Sequence, residues 1–235
     1  MAEDAMLTVS NINAFYGESH ILHNVSFDIR KGEVVTLLGR NGAGKTTSLR
    51  AIMGNLKGTT GSIRFDGNEL IGRKIHEIPK LGIGYVPEER AIFASLNVLE
   101  NLLLPPAVAK GGMSVDEIYQ LFPNLKGRDR TQGTRLSGGE QQMLAIARIL
   151  RAGARFILLD EPTEGLAPVI IEQIGHAILT LKNAGYTMIL VEQNFRFATT
   201  IADRHFVMEE GHVIDELSAS EVLTNPAKLE RYLGV

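Results

Sequence analysis

Residues 39–47 read GRNGAGKTT, which fits the phosphate-loop pattern G-x-x-x-x-G-K-[ST]. The loop follows an apolar strand predicted over 33–38 and leads into a helix predicted over 47–53. Glycines let the backbone of such a loop fold around a phosphate with its amides pointing inward. The alternative is a glycine turn before an ordinary helix, but the flanking strand and helix favour nucleotide binding. We expect Lys45 to reach the β- and γ-phosphates and Thr46 to ligate Mg²⁺.

A second stretch, LSGGEQQ at residues 136–142, predicts another helix end that suits a phosphate. Ser137 and Glu140 have the spacing of a capping box, so a helix should begin here. Two glycines remove side chains from its entrance, and bare amides at the positive end of a helix dipole attract anions. The chain therefore carries two candidate phosphate-binding helix ends that are far apart in sequence.

Two adjacent acids, Asp160 and Glu161, follow the apolar residues 156–159. Asp160 fits the acid that holds the Mg²⁺ shell in phosphate-loop enzymes. Glu161 comes one residue later, at the predicted strand tip, where it can polarise a water molecule towards the γ-phosphate. The alternative is a pair of solvated carboxylates at a strand end. The phosphate loop earlier in the chain favours the catalytic interpretation.

The order of predicted elements indicates an α/β fold with a mostly parallel sheet. Alternating strands near the start of the chain predict a small antiparallel sheet. Short buried strands then alternate with helices, which is typical of parallel α/β sheets. We expect one domain over 1–235, with an antiparallel β subdomain at about 5–35 and 60–70 and an inserted helical subdomain at about 90–153.

The composition excludes some functional classes. The chain has 235 residues, of which 44% are hydrophobic, so a large core can form. A net charge of −3 argues against nucleic acid as the main partner. The absence of cysteine excludes disulfides and thiolate metal sites.

Together, the phosphate loop, the LSGGEQQ stretch and the acidic strand end resemble the ATP-binding cassette (ABC) family over nearly the whole chain. Residues 39–47 resemble its Walker A loop, residues 136–142 its signature, and residues 156–161 its Walker B strand with the catalytic glutamate. The resemblance implies a P-loop NTPase (RecA-like) core with ATP and Mg²⁺ as cofactors. It also implies head-to-tail pairing of two cassettes, in which Ser137 and Gly139 contact the γ-phosphate of ATP held by the partner.

Tyr16, just before Gly17, resembles the aromatic residue that stacks on adenine in this family, and a flat ring suits that role. The alternative is a tyrosine that packs at a strand end. The nucleotide-binding residues implied by the resemblance are Tyr16, Gly39, Asn41, Gly42, Ala43, Gly44, Lys45, Thr46 and Thr47, with Ser137, Gly138 and Gly139 acting across the pair.

Residues 166–168 fall where the family has its D-loop, but a usual aspartate is missing. Two other positions also depart from the family pattern. Glu88 stands where a glutamine is most common; it can accept a hydrogen bond from a metal-bound water but adds a negative charge. Gln193 stands where a histidine is most common; it can donate to the γ-phosphate but cannot take up a proton near neutral pH. The alternative is that neither matters and hydrolysis rests on Glu161. We assign catalysis to Lys45, Glu161 and Gln193, and metal binding to Thr46, Glu88 and Asp160.

Residues 41–47, 82–88 and 190–194 resemble ATP-binding subunits of branched-chain amino acid importers, closest to the F-type subunit. This resemblance implies a peripheral ATPase on the cytoplasmic side of the inner membrane. Its partners would be a second cassette, either a G-type subunit or a second copy of itself in isolation, two transmembrane permease subunits and, indirectly, a periplasmic binding protein.

Three alternatives stay open. Urea and short-amide importers have similar cassettes. A soluble ABC-type ATPase acting on DNA or the ribosome usually has two cassettes or a coiled-coil arm, whereas this chain has one phosphate loop, one signature and no heptad run. A module that binds ATP without hydrolysing it is disfavoured by Glu161 and favoured by Glu88 and Gln193.

Overall fold

The computed structural model describes residues 5–233, which form two β-sheets surrounded by helices. The strands are β1 (Ala5–Tyr16), β2 (Ser19–Arg30), β3 (Val34–Leu38), β4 (Thr60–Phe65), β5 (Asn68–Glu69), β6 (Ile83–Val86), β7 (Phe156–Asp160), β8 (Thr187–Glu192), β9 (Arg204–Glu209) and β10 (His212–Ser218). The α-helices are α1 (Lys45–Ile52), α2 (Val98–Leu103), α3 (Val115–Leu121), α4 (Gly138–Ala152), α5 (Pro168–Asn183), α6 (Phe195–Ile201), α7 (Ala219–Thr224) and α8 (Pro226–Leu233). Within 5–233, none of these helices has the length and apolarity needed to span a membrane.

The first sheet is antiparallel and has the strand order β2-β1-β4-β5. On β1 the side chains of Leu7 and Val9 are buried, and those between and around them are more exposed. This alternation is typical of a sheet with one face on the core, because successive side chains point to opposite faces. The buried face packs on α1 and on one face of the second sheet.

The second sheet has the strand order β10-β9-β3-β8-β7-β6. Strands β6, β7, β8, β3 and β9 run parallel, and β10 pairs antiparallel with β9. Val35 and Leu37 of β3 face the first sheet, whereas Val34 faces the core around α4 and α5. Both faces are therefore covered, as expected for a parallel sheet. The predicted α/β P-loop fold is confirmed.

The sheet order positions the site. Strand β3 lies beside β8, and β8 lies beside β7, all parallel. Their carboxyl ends therefore meet at one edge of the sheet, where open α/β sheets bind ligands. This places the phosphate loop after β3, Glu161 after β7 and Gln193 after β8 side by side.

The segment between β6 and β7 contains α2, α3 and α4. Helix α4 begins after Ser137 with the predicted capping box and ends at Gly153, which adopts a left-handed conformation with φ of 99°. Its buried residues, such as Met143 and Leu150, belong to the core between the second sheet, α4 and α5.

Candidate functional site

The phosphate loop joins β3 to α1 and folds around the ammonium group of its own lysine. Lys45 Nζ donates to the carbonyl oxygens of Gly39 at 2.8 Å and Arg40 at 3.1 Å. A Cβ at residue 39 would collide with the carbonyl oxygen of Met208, so only glycine fits there. Burial lowers the pKa of Lys45, while Glu161 and Asp160 act in the opposite direction.

A cavity of about 460 Å³ lies beside this loop and brings together most of the residues predicted from the sequence. Its lining consists of Tyr16, Ile21, Asn41, Gly42, Gly44, Lys45, Thr46, Thr47, Glu88, Glu161, Glu164 and Gln193. Gly39 and Ala43 belong to the same loop without lining the cavity. The signature residues 137–139 are not part of its lining.

Asp160 is held at the end of β7 by two hydroxyl groups. Thr46 Oγ1 donates to Asp160 Oδ1 and the Tyr85 hydroxyl donates to Asp160 Oδ2, each at 2.9 Å. The carboxylate is only 1% exposed, and this burial raises its pKa. The two hydrogen bonds lower the pKa, because they stabilise the charged form.

Glu161 has an unusual backbone and a neighbour that fixes its side chain. Its φ of 47° lies in the left-handed region, and its N–H donates to the Val191 carbonyl at 2.9 Å. Gln193 Nε2 donates to Glu161 Oε2 at 2.6 Å. Burial raises the pKa of Glu161 to about 7, and Glu164 acts in the same direction. Such a pKa suits a general base near neutral pH.

The hydrogen bond from Gln193 refines the role predicted for that residue. The sequence predicts a donor to the γ-phosphate, whereas in the structure the side-chain amide is engaged with the Glu161 carboxylate. Gln193 is exposed, and both it and Glu161 line the cavity beside the phosphate loop. The structure therefore places the Gln193 amide on the Glu161 carboxylate.

The oxygen donors of the cavity fit a magnesium ion that arrives with ATP, together with Asp160, which does not line the cavity but is bonded to Thr46. Glu88, Glu161 and Glu164 line the cavity opposite a single cation, Lys45. Burial and the nearby Glu164 raise the pKa of Glu88, a sign of this crowding of acids. These glutamates would repel a triphosphate unless a divalent cation lay between the carboxylates and the phosphates. The Thr46 hydroxyl and the carboxylates of Asp160 and Glu88 are the hard oxygen ligands that Mg²⁺ prefers.

Across residues 5–233, no group of three or more His, Cys, Asp or Glu side chains is arranged to hold a metal ion by itself. Mg²⁺ usually keeps several waters and binds through one or two carboxylates together with substrate phosphates.

Tyr16 lies at the rim of the cavity and keeps 42% of its surface exposed. Its hydroxyl accepts a hydrogen bond of 3.3 Å from Arg50 Nη1, which anchors one end of the ring. The exposed ring is free for stacking, so its contact with adenine stays a prediction. The Arg50 contact could not be predicted from spacing, because it joins residues that are 34 positions apart, one on β1 and one on α1.

The signature residues form the start of α4. Glu140 N–H donates to Ser137 Oγ at 3.3 Å, and Ser137 N–H donates to Glu140 Oε2 at 2.8 Å. A Cβ at residue 139 would lie 2.5 Å from Ile170 Cγ2, so glycine is needed where α4 approaches α5. Ser137 is exposed. This helix end is therefore accessible to a phosphate that is not bound in the chain's own cavity.

A parallel sheet, a phosphate loop at its carboxyl edge, and an acid pair beside that loop define a P-loop ATPase. The helix end at Ser137 lies outside the lining of this cavity. The sequence profile described as ABC transporter matches residues 22–164, and the chain belongs to this family.

Relatives match along their full length. The chain is 42% identical to the high-affinity branched-chain amino acid transport ATP-binding protein BraG of Pseudomonas aeruginosa, covering 97% of this chain and 100% of BraG. It is 33% identical to the lipopolysaccharide export system ATP-binding protein LptB of Haemophilus influenzae, covering 98% of each. It also matches a dimeric post-hydrolysis structure of the ATP-binding cassette MJ0796 bound to ADP and Pi, with a TM-score of 0.80, 27% identity, and coverage of 91% of this chain and 99% of that one. The chain is therefore an ATP-binding, ATP-hydrolysing cassette.

Proposed function

We propose that the chain energises an importer of branched-chain amino acids from the cytoplasmic side of the inner membrane. The observation that carries this proposal is the 42% identity to BraG over nearly the whole of both chains, against 33% to LptB. The resemblance of residues 82–88 and 190–194 to the F-type subunit points the same way. The partners would be a G-type cassette, two transmembrane subunits and, indirectly, a periplasmic binding protein.

The geometry supports the following division of labour in hydrolysis. Lys45 binds the β- and γ-phosphates, and Tyr16 stacks on adenine. Glu161 takes a proton from the attacking water while Gln193 holds one oxygen of its carboxylate. When bound, Mg²⁺ would be held by Thr46, Asp160 and Glu88 and would neutralise charge on the phosphates.

The exposed start of α4 supports a composite site. Ser137 and Gly139 would close over ATP bound by a partner cassette, since residues 137–139 lie outside this chain's own cavity. In return, the partner's signature would cover Lys45 and Glu161. A partner with the more common glutamine and histidine in place of Glu88 and Gln193 would make the two composite sites unequal.

An apolar surface on α2 suits contact with the membrane subunits. Leu103 and Leu104 are 53% and 56% exposed, and together with Leu96 and Leu99 they line an open depression of about 790 Å³. Glu88 lies in the loop that follows β6, and the same connection leads on to α2 at Val98. A movement of Glu88 when the nucleotide site closes would therefore be passed along this connection and displace the α2 surface.

Purification from native membranes in mild detergent tests the assembly. We expect the tagged chain to bring down a second cassette and two membrane proteins. Recovery of ribosomes or DNA would support the soluble-switch alternative instead. Recovery of lipopolysaccharide-export components would contradict the importer proposal and would indicate that the chain is an exporter subunit like LptB.

Uptake of radiolabelled leucine tests the substrate. Cells lacking the chain should regain uptake with the wild type and with Glu172→Gln, an exposed carboxylate on α5 that serves as a matched control. Glu161→Gln should give no recovery. Unchanged leucine uptake in the deletion strain, with a loss of urea or short-amide uptake, would assign the cassette to that related class of importer.

A further inference from the structure

A buried carboxylate without a role in the mechanism above lies at the end of β8. Glu192 is 2% exposed, yet its side chain is not paired with a lysine or arginine among the described residues. Instead its carboxylate is held by hydrogen bonds, above all from Thr163. The Thr163 N–H donates to Glu192 Oε1 at 3.2 Å, and Thr163 Oγ1 lies 2.9 Å from Oε1 and 3.1 Å from Oε2.

These hydrogen bonds join the two segments that carry the catalytic groups. Thr163 comes two residues after Glu161, and Glu192 comes immediately before Gln193. The same two segments also meet through the bond from Glu161 N–H to the Val191 carbonyl and the bond from Gln193 to the Glu161 carboxylate. Of these links, only the Glu192–Thr163 pair is fully buried, since Thr163 is 4% exposed.

Glu161 needs such a link because its backbone is in an unfavourable conformation. A non-glycine residue at φ of 47° costs on the order of 1–3 kcal/mol, and it persists only when its surroundings hold it there. The carboxylate at the end of β8 fixes the backbone two residues beyond the strained one. Removing it would let the segment after β7 relax and carry the Glu161 side chain away from Gln193.

We propose that Glu192 is a positioning residue. Through Thr163 it keeps the Glu161 carboxylate where Gln193 can donate to it, which is the position that ATP hydrolysis requires. The inference rests on the proposed role of Glu161 in hydrolysis. Glu192 itself does not touch the substrate. A purely structural carboxylate would affect stability alone, whereas a positioning residue affects turnover at unchanged ATP affinity.

Steady-state ATPase kinetics of the full chain, in its membrane complex, separate the two roles. Thr163→Val and Glu192→Ala should each lower kcat by about 10- to 100-fold, because small displacements of a catalytic group have effects of this size. KM for ATP should stay within about threefold of wild type, since the Lys45 loop is untouched. The kcat of the double variant should lie within about twofold of the kcat of the less active single variant, because both substitutions remove the same link.

Two further variants complete the design. Glu192→Gln should recover most of kcat, because its amide oxygen still accepts from Thr163. Thr36→Val is the matched control, because it too removes a buried threonine hydroxyl. That hydroxyl lies on β3 and is bonded to His205 at 2.7 Å, so its loss should leave kcat unchanged. Unfolding midpoints measured in parallel report the stability of each variant.

Wild-type kcat in folded Glu192→Ala or Thr163→Val would overturn the inference, as would an equal loss of kcat in Thr36→Val. Should Glu192→Ala fail to fold, Thr163→Val decides the question alone. Absence of hydrolysis by the wild-type complex would overturn the catalytic role of Glu161 together with the inference. An active wild type with unaffected variants would overturn the inference and leave the proposed function intact.

Discussion

Replacing Tyr85 by phenylalanine removes a single hydroxyl from the site and should weaken its response to magnesium. In the structure that hydroxyl donates to Asp160 Oδ2 at 2.9 Å, while Thr46 donates to the other oxygen. With the Thr46 hydroxyl as a ligand of Mg²⁺, Tyr85 would be the remaining donor that orients the carboxylate. Asp160 is 1% exposed, so no solvent replaces the lost donor.

The size of the effect follows from this burial. A hydrogen bond to a charged group contributes about 1.5–3 kcal/mol, which corresponds to roughly 10- to 150-fold in an equilibrium constant. Hydrogen-bond partners of metal ligands typically change metal affinity by about 10- to 100-fold. Loss of the donor also raises the pKa of Asp160, which favours the protonated form that cannot bind Mg²⁺. The half-saturating Mg²⁺ concentration in Tyr85→Phe should therefore rise about 10- to 100-fold.

The assay is ATPase activity titrated with free Mg²⁺ at saturating ATP. Tyr119→Phe is the matched control, because its hydroxyl donates to Asp129 at 2.6 Å in the helical segment, away from the cavity. It should leave the Mg²⁺ dependence unchanged. A half-saturating Mg²⁺ concentration in Tyr85→Phe within twofold of wild type would refute the assignment of Tyr85 as the group that orients Asp160.

Three further outcomes are expected. Glu161→Gln should lower turnover about 100- to 10,000-fold and accumulate an ATP-bound dimer in gel filtration; full activity would remove Glu161 from its role. Gly139→Ala should destabilise the fold by about 1–3 kcal/mol in urea unfolding, because its Cβ would lie 2.5 Å from Ile170, and wild-type stability would contradict this packing. Burial lowers the pKa of His205 to about 4 from 6.5, so its contribution to stability is present above pH 6.5 and lost as the pH falls. Relative to His205→Leu, the wild type should lose about 1.4 kcal/mol of unfolding free energy between pH 7.5 and 5.5. If the unfolding free energies of the two proteins depended equally on pH, the lowered pKa of His205 would be contradicted.

The parts of the fold that repeat a local pattern could be predicted from the sequence. The strand predicted over 33–38 corresponds to β3 (Val34–Leu38), and the helix predicted over 47–53 corresponds to α1 (Lys45–Ile52). The capping box at Ser137 forms with its predicted partner, Glu140. Each of these depends on residues within a few positions of one another, so short-range spacing is sufficient.

The contacts that complete the site could not be predicted in this way. Tyr85 meets Asp160 across 75 positions, and Thr163 meets Glu192 across 29. Such pairs are decided by which strands become neighbours in the sheet, and spacing does not encode that order. The one available signal was Glu192 itself, a charged residue at the end of an otherwise apolar strand, which must find a donor if it is buried.

The position of the Ser137 helix end outside its own cavity has a consequence for genetics. In the head-to-tail pair proposed above, a lesion at Ser137 and a lesion at Lys45 of the other chain fall in the same composite site. Such a pair keeps one intact site, whereas two lesions on one chain impair both. When each chain carries one lesion, a Ser137 lesion combined with a Lys45 lesion would leave one site intact, whereas the same lesion on both chains would impair both sites. Two lesions therefore have to be interpreted from the altered residue and from the chain that carries it, taken together.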